Sequence, residues 1–587
     1  MKRPAASIVA APALSRRRFV QGLAAGGVLL SLPPYARAAA ATAGTHVGSA
    51  VVLRGTEFNL EIGESPVNFT GSPRMATTVN GSLPAPTLRW REGDTVTLRV
   101  KNRLAEATSI HWHGLILPFQ MDGVPGLSFA GIAPGHTFTY RFKVQQSGTY
   151  WYHSHAGMQE ATGVYGAIII DPAQPDSLRF DREHVIQLSD WTDENPMRVL
   201  EKLKMRGDYY NHSQPTAVDF FQDVSRLGLK AAVDKRKMWN EMRMNPTDLA
   251  DLSADVLTYL MNGVTPAGNW TGSFKPGERI RLRFINGAAN TFYDVRIPGL
   301  PLTVVQADGV NVEPVTVDEF RFGPGETYDV LVKPQDDAYT VFAQAMDRTG
   351  YARGTLATHE GLVAAVPALD SVEWLTMADM MGAMSGGGMA GMDHSGTAAM
   401  AGMNHGSMPA SRASTQVRHA KTEYGASTDM RVDMPRTDLS DPGIGLRNNG
   451  RRVLTLADLH TIGGPMDSRG AEREVELHLT GNMERYTWSF DGVEYGHSTP
   501  VHFRYGERLR VILQNDTMMT HPMHLHGMWS ELESPDGQFQ IRRHTIPVQS
   551  AQRISFLVTA DALGRWAWHC HLMLHMDSGM FREVVVA

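Results

Sequence analysis

Three segments of the chain carry the same alternation of apolar and polar positions. GDTVTLRVKN (93–102), GERIRLRFIN (277–286) and GERLRVILQN (506–515) each run glycine, acid, alternating residues, asparagine. Alternation over about eight residues predicts a half-buried strand, and three copies in register predict three related β domains. A second pattern, GTYWYHSH (148–155) and GRWAWHCH (564–571), matches the first and third copies at the other end of the module. Short strands separated by turn residues predict Greek-key sandwiches. The expected architecture is all-β, with domains at 46–172, 173–370 and 446–587. A helical insertion is expected at about 196–262, and a Met-rich flexible linker at 371–445.

The middle copy lacks something the outer copies share. Nine residues after Asn102 comes HWHG, and nine after Asn515 comes HLHG; the same offsets from Asn286 reach Val295 and Ile297. In DAYTVFAQ (337–344), Phe342 and Gln344 take the place of the second histidine pair. The middle domain is therefore expected to be structural.

Four His-x-His units remain: His111/His113, His153/His155, His524/His526 and His569/His571. Residues i and i+2 of a strand point the same way, so each unit offers two imidazoles to one face, and neutral imidazole suits copper, zinc, iron and nickel. Eight histidines, four from each outer domain, suit three coppers where those domains meet. Cys570, the single cysteine, lies between His569 and His571 and faces the other side. His521, His575 and Met580 are its nearby partners; a His₂Cys set with a long axial Met is the blue-copper arrangement. Its backbone joins that site to the ions held by His569 and His571. A one-electron site joined to a multinuclear site can collect single electrons and deliver four to O₂.

Composition adds compartment and partners. At 587 residues the chain has room for about three or four domains. A net charge of −6 gives no nucleic-acid signature. Residues 1–38 contain SRRRFVQ (15–21), an apolar run and small residues ending at Ala38. This resembles a twin-arginine signal peptide and implies the periplasm. No other apolar run approaches the ~20 residues of a membrane span. Residues 377–408 hold nine of the 31 methionines among Gly, Ala and Ser, a composition that cannot pack a core but whose thioethers favour Cu(I). Met238, Met242 and Met244 lie in a helical-looking stretch and are read as a buried stripe.

Together HWHG, HSH, HPMHLHG and HCHLMLHMDSGM resemble the four copper motifs of the multicopper oxidases, over residues ~46–587. Within that family the chain is similar to copper-resistance oxidases of the CopA type, whose GMDH-like repeats it shares. The resemblance implies three cupredoxin-like domains and four copper ions: one type 1, one type 2 and two type 3. It assigns His521, Cys570, His575 and Met580 to type 1 copper and His111 and His524 to type 2. One type 3 copper would take His113, His153 and His571; the other, His155, His526 and His569. Cys570, His569 and His571 would carry electrons. Asp122 matches the family's acid after HWHG, while Met576 stands where a second acid often follows the type 1 histidine, leaving Asp577 as candidate.

The expected activity is periplasmic oxidation of Cu(I) to Cu(II) coupled to four-electron reduction of O₂, conferring copper resistance. Asp516, Met518, Met519, Met389, Met392, Met400 and Met403 are candidate Cu(I) ligands. The alternatives are a laccase-like phenol oxidase, which needs an open apolar pocket at His521 or His575, and a copper-sequestering protein acting through the Met-rich segment. The partners expected are O₂ and Cu(I), for a monomer that has no stable membrane insertion and meets other periplasmic copper-handling proteins.

Overall fold

The structure, a computed structural model, describes residues 51–382 and 412–587. The signal-like residues and Met389, Met392, Met400 and Met403 lie outside the described residues. Among those described, the strands form six sheets, two from each of three successive stretches of chain. The all-β expectation holds.

The repeated segments are equivalent strands. Thr95–Asn102 runs parallel to Glu57–Val67 and antiparallel to Thr137–Lys143. Ile280–Asn286 lies between Arg182–Trp191 and Thr327–Val332 in the same senses. So does Arg508–Asn515 between Arg473–Asn482 and Arg553–Thr559. The terminal asparagine of each copy is fully buried and makes the same bonds. Asn102 Nδ2 donates to the carbonyls of Glu106 and Ile132, Asn286 Nδ2 to those of Thr291 and Phe322, and Asn515 Nδ2 to those of Met519 and Val548. Each Oδ1 accepts the N–H two residues on. A buried backbone group must be paired somewhere, and this amide pairs the loop that leads into the next strand.

That next strand carries histidines in the outer modules only. His111–His113 pairs antiparallel with Gly148–His153, placing His111 opposite His153. His521–Leu525 pairs with Gly564–Cys570, placing His524 opposite His569. In the middle module Tyr293–Arg296 pairs with Ala338–Ala345. Here the expectation is corrected by one residue. Val295 and Ile297 belong to the apolar core, and the opposite face carries Asp294, paired with Gln344, and Arg296, paired with Phe342. A period of two makes a one-residue offset exchange the faces.

The middle module ties the outer two together through charged side chains. Arg283 reaches Asp329 at 3.0 Å and Thr149 of the first module at 2.8 Å. Asp308 meets Arg543 of the third module at 2.9 Å. Asp308 also accepts the backbone N–H groups of His544 and Thr545, both at 3.1 Å.

Two other expected segments are more specific than composition allowed. The insertion holds helices Pro196–Met205, Ala217–Leu227 and Leu229–Met242. Met238, Met242 and Met244 are only partly buried against the core rather than forming a buried stripe, and Met244 lies past the end of the helix. The flanks of the expected flexible linker pack on the body: Val432, Leu439 and Leu446 are buried, and Arg451 pairs with Glu319 and Asp370. Apolar anchors and ion pairs hold these flanks on the body.

Candidate metal centres

Strand alternation builds two centres back to back. Trp112, between His111 and His113, turns into the first core against Trp90 and Tyr140, so both histidines face the third module. His524 and His526 face the first module in the same way. His111 stacks on His526 with ring centroids 4.0 Å apart, and His113 on His524 at 3.8 Å. His526 Nε2 lies 3.1 Å from His569 Nε2. Donor atoms of His155, His526 and His569 fall within 4.8 Å of one another, as do those of His111, His113 and His153. All eight histidines of the four units therefore line one interface.

Five of these rings are aimed by a second nitrogen. His111 Nδ1 donates to the Asp122 carbonyl at 2.7 Å, His524 Nδ1 to the His544 carbonyl at 2.6 Å and His569 Nδ1 to the Cys570 carbonyl at 2.9 Å. His113 Nε2 meets Thr545 Oγ1 at 3.0 Å. Asp122 Oδ2 accepts from His526 Nδ1 at 2.9 Å, so a first-module carboxylate orients a third-module ring. Gly123 permits this: its φ is +83°, and a Cβ there would meet the Ile110 carbonyl oxygen at 1.8 Å.

Six of the opposite nitrogens are buried with no hydrogen-bond partner: His111 Nε2, His113 Nδ1, His153 Nε2, His155 Nε2, His524 Nε2 and His571 Nε2. Leaving one such atom unpaired costs about 1–3 kcal/mol. Six around one interface are what a metal cluster satisfies. Burial, then neighbouring imidazoles, hold His113, His155, His524 and His526 well below the usual imidazole range, and His569 sits at about 4. The rings are neutral and offer lone pairs.

On the opposite face, inside the third module, Cys570 Sγ lies 3.5 Å from His521 Nδ1 and 3.8 Å from His575 Nδ1; those two nitrogens are 3.1 Å apart. Met580 is fully buried beside them in sequence, its carbonyl accepting from the Cys570 N–H at 3.1 Å. Trp488 stacks on His575 at 3.8 Å. Burial pushes the thiol well above its usual range, so a bound cation must displace its proton.

Several participants were invisible in the sequence. Glu160 is buried, its Oε2 2.7 Å from His153 Nδ1. Burial, then Asp190, raises it well above the carboxylate range. Asp251, from the stretch after the insertion's helices, places Oδ2 3.0 Å from His575 Nε2. Thr517 Oγ1 lies 2.7 Å from His521 Nε2. His544 stands edge-on to His113 at 4.8 Å. None sits in a repeated motif; only the fold brings them to the candidate metal-binding histidines.

Other candidates fall elsewhere. Asp577 is exposed at the end of the short helix Met573–Asp577. Asp516 is fully buried and engaged by Val432 N, Gln514 Nε2 and His478 Nδ1. Met518 and Met519 are buried, Met518 beside Leu375 and Arg447 in a small cavity.

Sequence models of the multicopper oxidases match residues 61–175, 182–361 and 469–587, the three modules built above, and the chain belongs to the multicopper oxidase family. It is 57% identical to copper resistance protein A of Escherichia coli, over 97% of this chain and 99% of that protein. With copper resistance protein A of Pseudomonas syringae pv. tomato it shares 54% identity over the same proportions. Among solved structures, Fet3p, a multicopper oxidase that functions in iron import, aligns with a TM-score of 0.63 and 19% identity, covering 91% of this chain and 90% of that one. The laccase of Botrytis aclada aligns at 0.62 and 21%, covering 92% and 88%. Membership implies bound copper, which the donor sets fit. No helix among the described residues is long and apolar enough to cross a membrane.

Proposed function

We propose that the protein is a periplasmic cuprous oxidase, exported by the twin-arginine route, that confers copper resistance: four Cu(I) with O₂ and four protons give four Cu(II) and two waters. One copper at His521, Cys570, His575 and Met580, and three at the eight interface histidines, supply electron relay and O₂ reduction when bound. Type 2 copper is assigned to His111 and His524, and the type 3 pair to the two remaining triads.

The observation that carries the choice of substrate is the cover over the Cys570 site. His521 and His575 are both fully buried. His575 meets Asp251 rather than an open apolar pocket, which disfavours a phenol. Three residues before Asp251, Asp248 lines a cavity of about 700 Å³ whose wall includes Met205, Met244, Met483, Asp208 and Glu484. Thioether and carboxylate together suit capture of Cu(I) followed by release as the harder Cu(II). Asp251 then holds His575 through Oδ2, 3.0 Å from Nε2. At the other centre Asp122 orients His526, and Glu160 Oε2 accepts from His153 Nδ1, a buried carboxyl placed at the cluster to pass protons.

Oxygen uptake with Cu(I), and separately with a phenol, tests the reading on the intact protein and on Cys570→Ser. Cu(I)-driven uptake should vanish in the variant, and phenol turnover should be minor in the wild type. Met244→Ala with Met483→Ala should raise the apparent KM for Cu(I) and leave phenol KM unchanged. Copper protection that persists in cells carrying inactive Cys570→Ser would favour sequestration instead.

A further inference from the structure

A second buried cluster, apart from the histidine-lined interface, has the donor arrangement of a metal site. His478 belongs to the strand Arg473–Asn482, and Asp516 follows the strand Arg508–Asn515. His419 and Glu423 come from the segment that follows the Met-rich stretch, Glu423 within the turn Lys421–Tyr424. All four side chains are at least nine-tenths buried.

Four atoms converge. His419 Nδ1 lies 2.7 Å from Glu423 Oε2 and 3.4 Å from Asp516 Oδ2. His478 Nδ1 lies 2.8 Å from Asp516 Oδ2 and 3.2 Å from Glu423 Oε2. A tetrahedral ion with bonds of about 2.0–2.1 Å holds its ligand atoms about 3.3–3.4 Å apart, so the quadrilateral has the size of such a shell or is slightly drawn in. Each carboxylate uses its other oxygen for the protein. Glu423 Oε1 accepts the Ala420 N–H at 2.8 Å, and Asp516 Oδ1 accepts from Val432 N at 3.0 Å and Gln514 Nε2 at 2.9 Å. Behind His478, Nε2 meets Glu476 Oε1 at 3.1 Å, and that carboxylate is paired with Arg553 at 2.6 Å. An outer carboxylate on the far nitrogen is how metal-binding imidazoles are held.

We infer that His419, Glu423, His478 and Asp516 form a closed site for a divalent first-row metal ion. Two imidazole nitrogens and two carboxylate oxygens suit such an ion and not soft Cu(I), and the two carboxylates neutralise its charge. Four protein ligands leave no open position, which makes the site structural. It clamps the segment after residue 412 onto the third module, and through Asp516 it anchors the loop that leads to His521, five residues on.

Zinc is the probe. Full-length, copper-loaded protein is equilibrated with Zn²⁺, dialysed and analysed for metals by mass spectrometry. The expected result is one retained divalent equivalent beyond the copper complement. His419→Ala and Glu423→Gln, both outside the sandwich strands, should each lose that equivalent while keeping copper content and blue absorption. Their 412–435 segment should also be cut faster by protease. A fifth copper, lost in the same variants, supports the site equally. No extra equivalent in the wild type, or full retention in both variants, overturns the inference.

Discussion

The same pair of strands was put to opposite uses in the outer and middle modules. In the outer modules the face turned away from the core carries histidines, and the two faces close on each other with rings 3.8–4.0 Å apart. In the middle module that face carries Asp294, Arg296 and Gln344 and is covered by the chain's own linker. Asp294 meets Arg321 at 2.6 Å and Arg348 at 2.5 Å; Arg296 meets Glu319 at 3.0 Å and Asp370 at 3.1 Å. Burial alone would raise the Asp294 carboxyl, but the two guanidiniums hold it below its usual range. One face keeps its polar atoms unpaired for an ion, and the other pairs every charge internally. The difference shows that a repeated fold dictates the position of a face and leaves its chemistry to a handful of residues.

The comparison can be broken from either side. The largest effect is expected at the histidine face. His524→Ala should abolish oxygen uptake while the Cys570-centred absorption, near roughly 600 nm for cupric thiolate, survives, because the two centres use opposite sides of the strand. Loss of both signals together would show that the faces are not independent.

The ion-pair face should respond in stability instead. Asp294→Ala leaves the buried Arg348 and the half-buried Arg321 without their partner and should cost roughly 3–5 kcal/mol, read as a lowered midpoint in denaturant with copper spectra unchanged in the folded fraction. A loss under 1 kcal/mol would mean that the face contributes little. Glu160→Gln probes the proton side of the histidine face. It should lower kcat by about 10²-fold with KM for Cu(I) unaltered; an unchanged kcat would remove Glu160 from the proton path.

The smallest effect concerns the linker that covers the middle face. Asp441 accepts from Arg447 Nε at 2.8 Å and is paired with Arg436. Burial works against its charged form, but Arg447 outweighs it and holds the carboxyl at about 2. A carboxyl lowered on folding stabilises fully above its unfolded value, near 3.8, and loses that contribution as pH falls through about 2. The linker should therefore loosen between about pH 4 and 2, by at most about 2 kcal/mol, as seen by hydrogen exchange over 436–447. Asp441→Asn should remove that acid step.

Much of this contrast was legible in the residues. Strand alternation, the asparagine ending each repeat and the spacing from it to His-x-His were all in the text of the chain, because they are local and periodic. The middle module's face was misread by one residue, since Val295 and Asp294 differ only in which way a strand of four residues turns. Glu160, Asp251 and Thr517 were not legible at all: each lies outside any motif and reaches a candidate metal-binding histidine only after folding.

By itself the sequence determined that His111 and His113 share a face and that Cys570 turns away from His569, because successive side chains of a strand alternate; His155, His526 and His571 stand just past their strands. Only the tertiary structure decided that those faces meet across an interface, that Asp251 covers His575 and that His419 and Glu423 close on His478 and Asp516. Those contacts join residues tens to hundreds of positions apart, and their geometry is set by how modules and connecting segments dock rather than by local backbone preference.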